Sequence, residues 1–397
     1  EVTMTFNFYE TKFGKDVKPK RKITNQDVLC VKNFNEKRNS TKWKPFDTSV
    51  INDDDIVLII DGDWLAFSAT SNEMVRSVEF EYNGETISFE DCYTGIKKFC
   101  EEKGIEYIPN CGVKKHYMLE DSLMKAKGTI RKKIYKAISE TKATKVIIFL
   151  GSTGNHRDEL PLPKLNNKDH FNYKGQREKG WIPSDLHEIK KWLHENWMSH
   201  WSVFEEADDS ITIAKHSLDN RNIVSYLHGI DKDFNCEGVG GLYIVGHHAS
   251  PEWFDDTEEN RLGWVKAAKT SGGSDKMLGH GDMFLSYQII CGDTSDNYSA
   301  KDMMKYFGNL KSFGYKGCEK YLMKFETRKD LWQGVLDFFK KHLPESFEYE
   351  DCFGVTHKAT PLTMLNLYYR CAKMREYPEH VPNVIEDRLK PLGVEYE

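Results

Sequence analysis

The chain has 397 residues, of which 39% are hydrophobic and 30% charged, with a formal net charge of −6 at pH 7. That length predicts two or three domains around a sizeable core. The acid excess excludes a global attraction to nucleic acid, so such a partner would need a local basic surface, or metal ions that reverse the sign of an acidic pocket. Nine cysteines without a CxxC pair argue against a zinc cluster or a secreted disulfide framework and suit reduced thiols. No apolar run approaches the roughly 20 residues that span a bilayer, and the start shows no secretory-signal pattern. The expectation is a soluble cytoplasmic protein.

Residues 1–50 are polar and Lys-rich, with KPKRK at 18–22, and read as an N-terminal extension: a solvated tail or a DNA- or partner-binding arm. IVLII from Ile56, ending at Asp61, is a fully apolar β-branched run that suits a central parallel strand. Asn83-Gly84 between alternating apolar residues predicts a peripheral β-hairpin. A helix is expected over 116–140, with Leu119, Leu123, Ile130, Ile134 and Ile138 as its buried stripe. KVIIFL at 145–150 is a second strand. A second helix follows Ser184 as N-cap, with Ile189, Trp192, Leu193 and Trp197 on one face. EADD runs into a helix, NIVSYLHGI and GGLYIVG supply two more strands, and 250–280 reads as an irregular mobile loop. From Phe284 onward the pattern is mainly helical. Alternating strands and helices predict an α/β fold with a mostly parallel central sheet flanked by helices, then a helical region. The expected divisions are 1–50, 51–290 and 291–397.

Eight carboxylates fall in four short motifs at strand or helix boundaries. They are Asp61 in IIDGDW, Glu206, Asp208 and Asp209 in EADD, Asp231 and Asp233 in DKD, and Asp293 and Asp296 in GDTSDN. Ligands of open α/β sheets bind at the carboxyl ends of the strands, which is where Asp61 and Asp231 are expected. Brought together without cations, so many acids would repel one another and some would stay protonated. Around two hard divalent cations, Mg²⁺ or Mn²⁺, they would form a phosphoryl-transfer site that clamps both sides of a phosphodiester.

DGDWLAF at 61–67, YKGQR at 173–177, EADD at 206–209, DKDF at 231–234, GDTSDN at 292–297 and GYKGCEKYL at 314–322 together resemble the flap-endonuclease and 5′-to-3′ exonuclease family, the phage 5′-exonucleases in particular. The match covers about residues 56–325. The resemblance implies a PIN-like nuclease core followed by a helix-hairpin that holds duplex backbone. It also implies two-metal hydrolysis of DNA at 5′ ends, nicks or flaps, with RNA of hybrids left open, a part in DNA replication and repair, and the cytoplasm of a bacterial or phage-infected cell. Asp61, Glu206, Asp208 and Asp209 would hold one metal; Asp233, Asp293 and Asp296 would hold its neighbour, with Asp231 between. Lys174 and Arg177 would contact the scissile phosphate or the 5′ end, and Tyr173 would stack on the terminal base. Gly314, Lys316 and Gly317 would meet a duplex phosphate.

The sequence departs from the family pattern in the short, Pro-broken segment around YKGQR, in a longer and less glycine-rich spacing from GDTSDN to the hairpin, and, most consequentially, after the second strand. Where another Asp usually follows the second strand, Gly151 and Ser152 stand here, with Asp158 and Glu159 several residues on. Two other readings stay open. One is a nuclease fold that grips DNA but cuts poorly. The other is a haloacid-dehalogenase-like phosphatase with Asp61 as nucleophile and Asp63 as acid/base.

Overall fold

A computed structural model describes residues 44–108, 111–152, 154–165, 172–175, 182–236, 256–270 and 273–396, together with the backbone alone of 242–244 and 252–254. The basic run at 18–22 and Arg177 lie outside the described residues.

The expected central strand is β1 (Val57–Asp61), and all five of its residues are buried. Its side chains alternate between two cores, as a strand covered on both faces requires. Val57 and Ile59, with Ile147 and Phe149, pack on Ile211, Ala214 and Leu218. Leu58 and Ile60, with Ile148 and Leu150, pack on Leu65, Ala66, Ile130, Ile134, Ile189 and Leu193. Each buried Val, Leu, Ile or Phe among them contributes about 1.5–3 kcal/mol by leaving water.

The chain continues into α1 (Gly62–Ser71) and a separate antiparallel unit of β2 (Met74–Tyr82), β3 (Glu85–Phe89), α2 (Tyr93–Lys103) and β4 (Val113–Met118), in strand order β3-β2-β4. The hairpin turn between β2 and β3 has φ of 51° at Asn83 and 82° at Gly84, the left-handed pair that a two-residue turn between twisted strands needs. Then come α3 (Ser122–Thr141), β5 (Lys145–Gly151), α4 (Leu186–Asn196), β6 (Ser199–Ser202), α5 (Ala207–Asp219), β7 (Ser225–His228), β8 (Leu242–Ile244) and β9 (Glu252–Phe254). The main sheet runs β6-β5-β1-β7-β8-β9, parallel except for the β8–β9 pair. Helix α5 covers one face, and α1, α3 and α4 cover the other.

Beyond the sheet lie α6 (Glu258–Leu262), the hairpin β10 (Trp264–Lys269) and β11 (Asp275–His280), α7 (Gly281–Cys291), α8 (Ala300–Tyr306), α9 (Tyr315–Leu322), α10 (Arg328–His342), the hairpin β12 (Phe347–Glu350) and β13 (Thr356–Ala359), and α11 (Pro361–Ala372). Their core is continuous: Met283, Phe284, Ile289 and Ile290 of α7 pack with Trp332, Val335 and Phe339 of α10 and with Leu365 and Tyr369 of α11.

Three local expectations are corrected. The helix expected over 116–140 starts only at Ser122, because 113–118 pairs with β2 and Asp121 takes a left-handed φ of 60°. Leu119 therefore stays exposed, outside the buried stripe. The loop expected at 250–280 contains α6 and the β10–β11 hairpin, in which Val265 and Met277 point into the core. The mainly helical C-terminal part is interrupted by β12 and β13.

Gly62 sets how closely α1 sits on the sheet. A β-carbon there would lie 2.6 Å from the Phe149 carbonyl oxygen and 2.6 Å from Ile148 Cγ2. Backbone cannot yield as a side-chain tip can, so Gly62→Ala is expected to cost about 1–3 kcal/mol. A urea midpoint unchanged from wild type would contradict this packing.

Candidate active site

The carboxyl ends of β1, β5 and β7 and the start of α5 open onto one cavity of about 310 Å³. Its walls carry Asp61, Asp63, Glu206, Asp208, Asp231, Asp233, Asp293 and Asp296, with Lys174 and Lys232. Asp61 is the last residue of β1 and the N-cap of α1, its Oδ1 accepting the Trp64 N–H at 3.0 Å. Asp208 is in the first turn of α5, next to Glu206 at its N-cap. Asp231 follows β7 and accepts the Asp233 N–H at 2.9 Å, which couples the two acids of DKD.

Asp293 and Asp296 come from the turn after α7. Gly292 turns the chain there with φ of 79°, and a β-carbon would meet the Tyr298 carbonyl oxygen at 1.9 Å, so only glycine fits. Backbone bonds between Asp293 and Tyr298 close the loop at 3.1 and 3.3 Å. Carboxylate oxygens of Asp233, Asp293 and Asp296 all lie within 4.8 Å of one another.

Burial and mutual repulsion keep much of this charge suppressed. Burial, then neighbouring Asp63 and Asp231, pushes Asp61 up to about 7. Burial, with Asp231, pushes Asp233 up to about 6. Asp208 is raised well above the usual carboxylate range by burial and by Asp231, Asp61 and Glu206. Asp231 and Asp296 are also raised, chiefly by burial. Asp293 goes the other way: burial alone would raise it, but Lys232 and Ser295 hold it ionised. Lys232 binds Asp293 and approaches Asp233 at 3.4 Å, while Lys174 binds Glu206 and lies 3.9 Å from Asp296. An all-oxygen donor set, crowded and with most of its carboxyl groups raised by burial and by one another, fits hard divalent cations.

The pH dependence follows with a definite sign. A raised carboxylate keeps, when folded, a proton that the unfolded chain releases, so its contribution to stability falls as pH rises through about 6 and 7. Buried His200 and His280, lowered to about 4 by burial, run in the opposite sense, so the informative quantity is a difference. The Tm gain from Mn²⁺ is expected to be small at pH 5.5 and roughly 5 °C or more at pH 8, since protons and metal compete for the same oxygens. An equal gain at both pH values would contradict it.

Other expected residues sit differently. Asp209 does not line the cavity. It is fully buried, its oxygens taken by Arg157 Nη1 and Nη2 at 2.8 and 3.1 Å and by the Arg375 N–H at 3.0 Å. Burial would raise its pKa, but Arg157 and His156 hold it well below the usual range. Asp209 is thus a buried anchor beneath the site, which corrects its expected place among the metal ligands. Tyr173 is also corrected. Its ring is buried against Tyr298, and its hydroxyl donates to Asp296 Oδ2 at 2.8 Å, leaving no free face for a base. The turn carrying it is docked on the acidic loop by Lys174 N–H to the Asp296 carbonyl at 2.9 Å and by Asn297 to the Asn172 carbonyl at 3.0 Å. Lys174 itself has a left-handed φ of 54°. Asp158, considered for the acid missing at 151, instead caps a short turn by accepting the Asn155 N–H at 3.1 Å. Gly314, Lys316 and Gly317 are exposed at the start of α9 and do not line the cavity.

Several contributors escaped sequence reading. Arg157, buried, directs its five N–H groups at Glu206, Asp209 twice, and the carbonyls of Cys371 and Lys373. Through it, and through the buried Arg375–Glu205 pair at 3.0 Å, the segment after α11 is fastened to the start of α5, and Cys371, Ala372 and Met374 line the cavity. Gln288, buried in α7, donates to Asp233 at 2.5 Å. Its signal was a lone amide in the mostly apolar MFLSYQIIC; Arg157 offered none.

The fold and cavity define an α/β protein with an acidic site at the carboxyl edge of a parallel sheet. No family model and no curated protein matches the chain. Among solved structures, the 5′-exonuclease of phage T5 with bound zinc is similar at 16% identity and a TM-score of 0.37, over 72% of this chain and 80% of that one. A phage T5 flap endonuclease in a pseudo-enzyme–product complex with DNA and metal ions is similar at 14% identity and a TM-score of 0.37, over 72% and 79%. Likeness at this level carries no functional weight, which rests on the residues themselves.

Proposed function

We propose that the protein is a metal-dependent phosphodiester hydrolase: a structure-selective 5′-to-3′ exonuclease and flap endonuclease acting on DNA 5′ ends, nicks or flaps with two Mg²⁺ or Mn²⁺ ions. The observation that carries this reading is the convergence of seven of the eight acids, from four distant segments, on one cavity with Lys174. Asp61, Glu206, Asp208 and Asp231 would hold one ion, and Asp233, Asp293 and Asp296 its neighbour. Such ions, when bound, lower the pKa of water and offset charge on the leaving oxygen. Lys174 and Lys232 bring cationic charge to the wall, able to offset charge on a phosphate. Exposed Lys316, between Gly314 and Gly317, suits a duplex phosphate read without base contacts.

The phosphatase reading accounts for Asp61 and Asp63 but gives no role to the acids of α5, of 231–233 or of 293–296. The test is cleavage of 5′-labelled nicked, flapped and recessed-end DNA with Mn²⁺. Products bearing 5′-phosphate and 3′-hydroxyl ends are expected, abolished by chelation. Failure to cut any of these substrates would refute the proposal, and DNA binding without turnover would select the weakened-nuclease reading.

A further inference from the structure

One wall of the cavity lacks an acid of its own. The ends of β1 and β7 and the start of α5 bring Asp61, Asp231 and Asp208, whereas β5 ends in Gly151 and Ser152. The carboxylate standing at that edge belongs to Asp63, the second residue of α1. A β-carbon on Gly151 would lie 2.7 Å from Asp63 Oδ2, so Asp63 fills the space that a side chain at 151 would enter.

An acid in the first turn of a helix is favoured by the helix dipole alone. Asp63, however, directs its side chain away from its own helix. Its Oδ1 accepts the Gly151 N–H at 3.1 Å and is paired with Lys190 Nζ of α4 at 2.8 Å. Lys190 also donates to the Gly151 carbonyl at 3.2 Å, tying the carboxylate to the end of β5. Asp63 Oδ2 has no hydrogen-bond partner among the described residues, although it stands in the cavity wall.

We propose that Asp63 supplies, through Oδ2, a further carboxylate ligand at the β5 edge of the site, beside Asp61 and Asp208, with Lys190 as its positioning residue. The inference rests on the metal-dependent reading above. Gly151 is then required to be small because Asp63 uses its space, and the carboxylate is transferable: with Asp63 cut back, an acid at 151 would reach the same volume.

The test is Mn²⁺ binding to the DNA-free protein, followed by electron paramagnetic resonance, with Tm measured alongside. Asp63→Asn preserves shape and is expected to weaken Mn²⁺ binding tenfold or more at one site with little change in Tm. Asp63→Ala is expected to weaken it similarly, and Asp63→Ala/Gly151→Asp to recover most of the loss. Lys190→Met is expected to give a smaller loss. Wild-type affinity in Asp63→Asn, with Asp231→Ala weakened, would overturn this inference alone. A wild-type protein that binds no Mn²⁺ would overturn it together with the reading it rests on.

Discussion

Asp231→Ala is expected to lower metal-dependent cleavage by about 10²-fold or more while leaving DNA affinity within about twofold. Asp231 stands between the two groups of acids. It raises Asp61, Asp208 and Asp233, and its Oδ1 accepts the Asp233 N–H at 2.9 Å. Its removal thus opens both groups at once. The same change relieves like-charge repulsion, so the metal-free variant should melt no lower than wild type at pH 8, and its gain in Tm from Mn²⁺ should shrink. Loss of cleavage together with a lowered metal-free Tm would point to damaged folding instead. Cleavage at the wild-type rate would mean that the acids are misassigned. Measuring cleavage and binding on one 5′-labelled substrate separates the outcomes.

Arg157→Met is expected to have the largest effect on stability, about 3–5 kcal/mol, because it leaves the buried Asp209 charge without its partner. The cost arises from what remains: a fully buried carboxylate and the carbonyls of Cys371 and Lys373, each stripped of a donor. Arg157→Lys should recover only part of it, since an ammonium cannot present the planar fork that reaches two carboxylates and two carbonyls together. Adding Asp209→Leu to Arg157→Met removes the stranded charge and is expected to cost less than the single change, a coupling that a double-mutant cycle reads directly. Limited proteolysis of Arg157→Met should open the chain near Lys373, in the segment after α11 that Arg157 fastens to α5. A single variant within about 0.5 kcal/mol of wild type in urea would show that the network is not what holds this segment.

Much of the sheet was legible because its signals are local. A run such as VLII, apolar at every position and β-branched, can bury both faces only as an inner strand, and Asn83-Gly84 carries its own turn geometry. The errors fell where tertiary pairing overrides a local pattern. Residues 116–118 fall within the expected helix but pair as the end of β4 with β2, and WVKAAK has strand alternation that only its antiparallel partner DKMLGH turns into a hairpin.

The site divides in the same way. The sequence alone determined that acids would gather at strand and helix boundaries, because residue type and element termini are both written locally. Only the tertiary structure decided which way each acid points. Neighbours Asp208 and Asp209 on one helical turn part company, one into the cavity and the other onto Arg157, 52 positions away in the chain. The same holds for Tyr173, spent on Asp296, and for the C-terminal segment that closes the floor of the cavity. Helix phase and long-range ion pairing set these directions, and neither can be read from a motif, because the partners meet only after the chain has folded.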